Sequence, residues 1–209
     1  MNKRIVIVGA GGLARMIYSW LPDFLQNENW EFRGFISDKL SDLQNYNYDE
    51  SIISKIIDYY PEENDVLVMA IADPKNKMKI AKMLESRGAT FITLIHPTSI
   101  IGLNVKIGRG CVICPRSILT CDIEIENFVF ININTTVGHD AKIADGVTVN
   151  AHSDVTGNTT LGRGVFLGSH SVITPNVKVQ DFAKIGAGSI VVTHVKEETS
   201  VFGIPAKRI

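Results

Sequence analysis

The chain has 209 residues, a formal net charge of −1 and 45% apolar residues, enough for one large or two small domains that each bury a core. Lys, Arg, Asp and Glu are interspersed, which leaves no basic stripe for nucleic acid and no charged tail for a membrane surface, so small ligands are expected instead. The only cysteines, Cys111, Cys114 and Cys121, are too few for a disulfide framework and point to a reducing, cytoplasmic setting.

Residues 3–8 form a short apolar, β-branched run, followed by Gly9-Ala10-Gly11-Gly12-Leu13-Ala14 and an amphipathic stretch to about Leu25. That order predicts strand, glycine turn, helix. Basic residues ahead of the apolar run imitate a signal peptide, but Gly11-Gly12 and then Arg15 interrupt it, and no stretch approaches the length of a membrane span. A second strand fits residues 30–36 and ends at Ser37-Asp38, irregular chain and a short helix fit residues 46–60, and a third strand fits residues 65–72. A helix over residues 75–87 and a fourth strand over residues 89–95 complete the set. Strands alternating with helices predict a parallel α/β sheet with ligands at the carboxyl ends of its strands.

Gly9, Gly11 and Ala14 satisfy the loose form of the dinucleotide fingerprint, in which backbone amides and a helix N-terminus attract a pyrophosphate. The domain ends near residue 96, so it holds one mononucleotide-binding half, and Asp38 lies farther from the glycines than the usual ribose-binding acid. A single nucleoside diphosphate therefore fits better than a dinucleotide. The alternative is a turn that needs its glycines only for packing.

His96-Pro97 marks the end of the first domain, residues 1–96, because proline holds the preceding residue extended. In the second, residues 97–209, an aliphatic residue recurs every six positions from Ile101 through Ile107 and Ile113 to Val191, with a small or β-branched residue four positions after most of them. Neither helix nor simple strand has that period. It predicts a parallel β-helix in which each hexad makes one flat face and one corner and three hexads close a coil of about eighteen residues. The Cys111-Val112-Ile113-Cys114 spacing follows from the hexad and has no second pair, so no metal is expected there. Breaking the repeat, the tail Gly203-Ile204-Pro205-Ala206-Lys207 is expected to cover the last open coil edge.

The glycine turn, Ser37-Asp38, Ala70-Ile71-Ala72-Asp73, Ile95-His96-Pro97, Val137-Gly138-His139-Asp140 and Gly203-Ile204-Pro205-Ala206-Lys207 occur in an order that resembles the sugar O-/N-acyltransferase family of hexapeptide-repeat acetyltransferases. The resemblance covers essentially the whole chain. It implies a Rossmann-like α/β half domain followed by a left-handed parallel β-helix, a hand that comes from the resemblance alone, since parallel crossovers are ordinarily right-handed. A homotrimer is also implied, with acetyl-CoA along the groove between neighbouring coils and a UDP- or dTDP-linked 4-amino-4,6-dideoxy sugar of bacterial surface-glycan synthesis held by the first domain. By the same resemblance His139 is the catalytic base, with Asp140 beside it, and Gly11, Gly12, Leu13, Ser37, Asp38 and Asp73 face the substrate. Thr148, nine residues after His139, stands where relatives often carry a second histidine at the thioester and is assigned to the coenzyme; Leu13 replaces a polar residue often found in the glycine turn.

Eighteen-residue spacing stacks Ile133, Ala151, Ser169 and Ala187 on one edge, where small side chains would let pantetheine approach backbone amides, which adds Ser169 and Ala187 as coenzyme contacts. His152 and His170 should stack one coil apart, about 5 Å by strand spacing, but a trimer-interface zinc would need three converging histidines and is not expected. A carboxylate next to His139 favours the imidazolium that forms as the ring takes a proton from an attacking amine or hydroxyl. Direct attack on the thioester then needs no acyl-enzyme, whereas a covalent route would use Cys121, one coil below His139. O-acetylation of a sialic acid-type sugar and a non-catalytic sugar-nucleotide-binding subunit are the alternative functions.

Overall fold

The computed structural model describes residues 2–25, 30–48 and 51–209. Five parallel strands, β1 (Arg4–Val8), β2 (Glu31–Ile36), β3 (Ile52–Ser54), β4 (Asp65–Met69) and β5 (Thr90–Phe91), form one sheet in the order β3-β2-β1-β4-β5. Helices α1 (Gly12–Ser19), α2 (Leu21–Phe24) and α3 (Pro74–Glu85) connect and cover it. In β1 and β4 nearly every residue is apolar and buried, as strands covered on both faces must be. The order reverses between β1 and β4, so the loops after them, residues 9–12 and 70–73, flank the crevice where such sheets take their ligands.

Two expectations need correction. Residues 46–60 contain β3 instead of a short helix; its Ile52 and Ser54 pair with Phe35 and Ile36, and a three-residue edge strand is too short to show a period. Residues 49 and 50 lie outside the described residues. The strand expected over residues 89–95 is two strands: Thr90–Phe91 closes the sheet, while Leu94–Ile95 already pairs with Val112–Ile113 of the coil.

From there the hexads wind as predicted. Ile118–Leu119 pairs with Thr136–Val137 on one side and Ile100–Ile101 on the other, eighteen residues away in both directions, and the same register repeats on three walls. Aliphatic anchors and the residues four positions after them fill the axis from Cys111 to Val201. Buried hydroxyls at the smaller inward positions are satisfied by main chain; Ser117 and Ser153, for example, donate to Asn132 O and Gly168 O at 3.0 Å.

At the corners every sixth residue from Asn104 to Gly188 has a positive φ, between 52° and 70°. Each is a left-handed residue that turns the chain from one wall to the next, and Asn or Asp holds several of the places because a short polar side chain tolerates that conformation. At the far end Ser200–Phe202 pairs with Lys184–Ile185 in a shortened turn, and Lys207–Arg208 returns antiparallel to it, which ends the parallel ladder.

The first domain packs on the wall that carries Val112, Phe130 and Thr148 outward. Val112 and Phe130 share one apolar cluster with Ile5, Ile7 and Phe35, and Phe91 meets Phe128 edge-on with ring centroids 5.1 Å apart. Through this seam runs Lys77 of α3, only 1% exposed, whose Nζ lies 2.9 Å from Thr148 Oγ1 and 3.1 Å from Val147 O. Thr148 in turn donates to Ala72 O at 2.8 Å.

Candidate active site

His139 and Asp140 occupy a corner between the two walls that the first domain leaves uncovered. Asp140 is the left-handed residue of that corner, with φ of +60°, and its N–H donates to Cys121 O of the coil below. His139 is tied upward, its carbonyl accepting from Asn158 N at 2.7 Å. Both side chains are therefore free of the core while their backbone is held on both sides. The imidazole Nδ1 lies 2.7 Å from Asp140 Oδ2, and both side chains are more than half exposed. A carboxylate at that distance accepts the Nδ1 proton, which leaves the Nε2 lone pair as the basic site.

One residue of this corner escaped the sequence reading. Gly157 stands one coil above His139, and a Cβ built on it would lie 2.6 Å from His139 Nε2. The ring rests on the glycine backbone, which fixes where Nε2 points. The available signal is the eighteen-residue spacing that already sets Cys121 one coil below His139 and, carried one coil upward, reaches Gly157. Gly157→Ala should cost little stability, because an exposed ring can swing away, yet lower turnover by about tenfold or more through a misplaced base. Parallel melting and rate measurements check this; unchanged turnover would mean that ring placement does not matter.

Around the pair lies a shallow depression of about 560 Å³ lined by Asp122, Glu124, Lys142, Asn158 and Asn176. Cys121 is half-buried here, and a hydrogen bond with Asp122, partial burial and the nearby carboxylates push its thiol up. Its thiolate is disfavoured, so the covalent route loses its nucleophile. Burial also raises Cys111, to about 11, and raises Cys114.

The substrate candidates gather at the carboxyl ends of β1, β2 and β4. Gly11 caps α1 with no side-chain hydrogen bond, and Gly12 and Leu13 open that helix. Gly9, with φ of +109°, packs so tightly on Ala70 O that an added Cβ would lie at 3.0 Å. Ser37 donates to Asp42 Oδ2, Asp38 Oδ1 accepts from Ile57 N at 3.2 Å, and Asp73 caps α3 through Asn76 N. Ser37 and Asp38 also line a cavity of about 440 Å³ with Lys39, Lys79 and Met83.

Ser169 is half-buried and Ala187 exposed on an edge different from that of His139. Beside them His152 and His170 do stack, with centroids 4.7 Å apart and rings 2° from parallel. Thr148 does not join this surface: its side chain is buried under α3, with its hydroxyl committed to Lys77 and Ala72. Among the described residues no group of three or more His, Cys, Asp or Glu is placed to share a metal ion, and no helix is long and apolar enough to cross a membrane.

A parallel half-Rossmann sheet seated on a β-helix, with an exposed histidine–carboxylate corner, defines the class of protein. Residues 4–84 match the family of the PglD N-terminal domain. The full chain is similar to WeeI from Acinetobacter baumannii AYE, at 25% identity with all of both chains covered and a TM-score of 0.89. It is also similar to the acetyltransferase domain of PglB from Neisseria gonorrhoeae FA1090 in complex with acetyl coenzyme A, at 20% identity, full coverage of both chains and a TM-score of 0.88. PerB from Caulobacter crescentus, in complex with CoA and GDP-perosamine, matches at 22% identity and a TM-score of 0.85, with 100% of this chain and 98% of that one covered. No curated protein matches the chain. The resemblance drawn from the motifs is borne out, and with it the left-handed β-helix.

Proposed function

We propose that the chain is an acetyl-CoA-dependent N-acetyltransferase acting on a nucleotide-linked 4-amino-4,6-dideoxy sugar, with His139 as general base. The observation that carries this reading is the His139–Asp140 pair, oriented by a 2.7 Å hydrogen bond and seated on Gly157. In the reaction the acceptor amine attacks the thioester carbonyl carbon as His139 Nε2 takes the amine proton. The C–S bond then breaks, and the imidazolium returns the proton to the departing thiolate. Among the described residues the N–H of Gly157 has no hydrogen-bond acceptor, and we assign it to the oxyanion. Support for the substrate class comes from PerB, solved with CoA and GDP-perosamine.

A single chain keeps the two halves of this reaction apart. The crevice loop at Ala72 abuts the wall that carries Thr148, whereas His139 sits at the corner between the other two walls. We therefore put the reaction between copies of a homotrimer, with the nucleotide held by Gly11, Gly12, Leu13, Ser37, Asp38 and Asp73 of one copy and the base supplied by the next. Sedimentation should give about three times the 23.0 kDa chain mass; a monomer at micromolar concentration would sink the arrangement.

The acceptor is tested by thermal melts with UDP, dTDP, GDP, CMP and free sugars, followed by thiol release from acetyl-CoA. A nucleotide at a hundred times its dissociation constant should stabilise the fold by about 2.7 kcal/mol. Should free sugar shift the melt while no nucleotide does, the O-acetyltransferase reading replaces this one.

A further inference from the structure

Among the described residues the one hydrogen bond that runs from the coil to the loop after β4, residues 70–73, comes from Thr148. Its fully buried hydroxyl lies 2.8 Å from Ala72 O and 2.9 Å from Lys77 Nζ. A carbonyl oxygen can only accept, so the single hydroxyl proton goes to Ala72 O and Lys77 donates to Oγ1. Packing does not ask for a threonine at this place. Its neighbours along the same wall, Val112, Phe130 and Phe166, are apolar, and a valine would fill the space without burying a hydroxyl.

The bond ends at the crevice. On one side the loop is stitched to the glycine turn, with Ala70 N donating to Val8 O at 3.0 Å and Gly9 packed on Ala70 O. On the other side Asp73 begins α3, its carbonyl accepting from Lys77 N at 2.8 Å and its carboxylate from Asn76 N at 2.9 Å. Between these anchors only the Thr148 hydroxyl fixes the path of Ala72, since no other donor among the described residues reaches that carbonyl. The coil therefore sets how far Asp73 stands from Gly11 and Gly12 across the crevice.

We propose that Thr148 is a positioning residue for the nucleotide, its hydroxyl tethering Ala72 so that the loop carrying Asp73 is held open at the width a nucleoside diphosphate needs. The assignment rests on the nucleotide-sugar reading for what enters the crevice. It goes further in giving the coil a part in holding the acceptor as well as in the chemistry, and it moves Thr148 from the coenzyme to the acceptor side of the reaction.

Thr148→Val keeps the shape of the side chain and removes the tether. Calorimetric titration with UDP, dTDP and GDP should show the nucleotide that binds the wild type weakened by about tenfold in Thr148→Val, the worth of one hydrogen bond, and restored in Thr148→Ser. Titration with coenzyme A should give the same affinity in all three proteins. Thr148→Val/Lys77→Met separates positioning from stability, because it leaves no amine short of an acceptor; it should melt no lower than the wild type and still bind the nucleotide as weakly as Thr148→Val. Nucleotide affinity that Thr148→Val leaves unchanged, or that the double variant recovers, overturns the proposal, as does a loss confined to coenzyme A. If none of the three nucleotides binds the wild type, the nucleotide-sugar reading fails and takes the proposal with it.

Discussion

Replacing His139 with asparagine should lower kcat by about 10² to 10⁴, the usual worth of a general base, and leave acetyl-CoA binding nearly unchanged. Asparagine offers no basic lone pair at the Nε2 position, so the amine would have to lose its proton to water. The fold should not respond, because the side chain is 65% exposed and the corner is held by backbone bonds from Asn158 and to Cys121. Asp140→Ala should cost less, since that carboxylate orients the ring and does not take the proton itself. Turnover of His139→Asn close to wild type would move the base elsewhere. Single-turnover rates with coenzyme binding measured separately give the answer.

Lys77→Met should stabilise the protein, and more so at lower pH. Burial pulls the Lys77 amine from its ordinary 10.5 down to about 7, with Asp73 and Cys111 opposing only weakly. The neutral amine has two hydrogens and two acceptors, Val147 O and Thr148 Oγ1; the charged form would bring a third N–H into a dry seam. Below about pH 7 both folded and unfolded chains are protonated, so the folded state carries the whole cost of a buried charge. Between about 7 and 10.5 the unfolded chain binds the extra proton, and wild-type stability therefore rises with pH. The ceiling on this effect is roughly 5 kcal/mol, and a realised gain of about 2 to 4 kcal/mol at pH 6 is expected. Methionine orphans neither partner, because Val147 O still accepts from Phe130 N and Thr148 still donates to Ala72 O. Denaturant midpoints at pH 6, 8 and 10 measure it; a gain independent of pH would mean that the Lys77 amine holds its proton equally well in the folded and unfolded chains.

The β-helix was legible because its period is absolute: an anchor such as Ile143 or Leu167 points to the axis, and one slip would turn a wall inside out. What the hexads could not reveal was which walls are covered. Thr148 and Thr160 occupy equivalent outward strand positions, yet one lies beneath α3 and the other is half-exposed, a difference made entirely by a domain encoded earlier in the chain. Lys77 was hidden for the same reason, since a lysine in a lysine-rich helix reads as solvent-facing until the surface opposite is known. His139 stood out through its motif, while Gly157, which seats it, carries no chemistry of its own. Short β3 and the split at residues 90–95 were lost because two- and three-residue strands have no pattern to detect.

The uniform register of the coil makes its surface a graduated scale. Every eighteen residues of sequence advance one column by one strand spacing in the same register, so two features in a column are separated by a whole number of rungs. A chain built this way can change the length of molecule it accommodates only in increments of one rung, by gaining or losing an entire coil. Substitution on a rung alters the chemistry at that height and leaves every other height where it was.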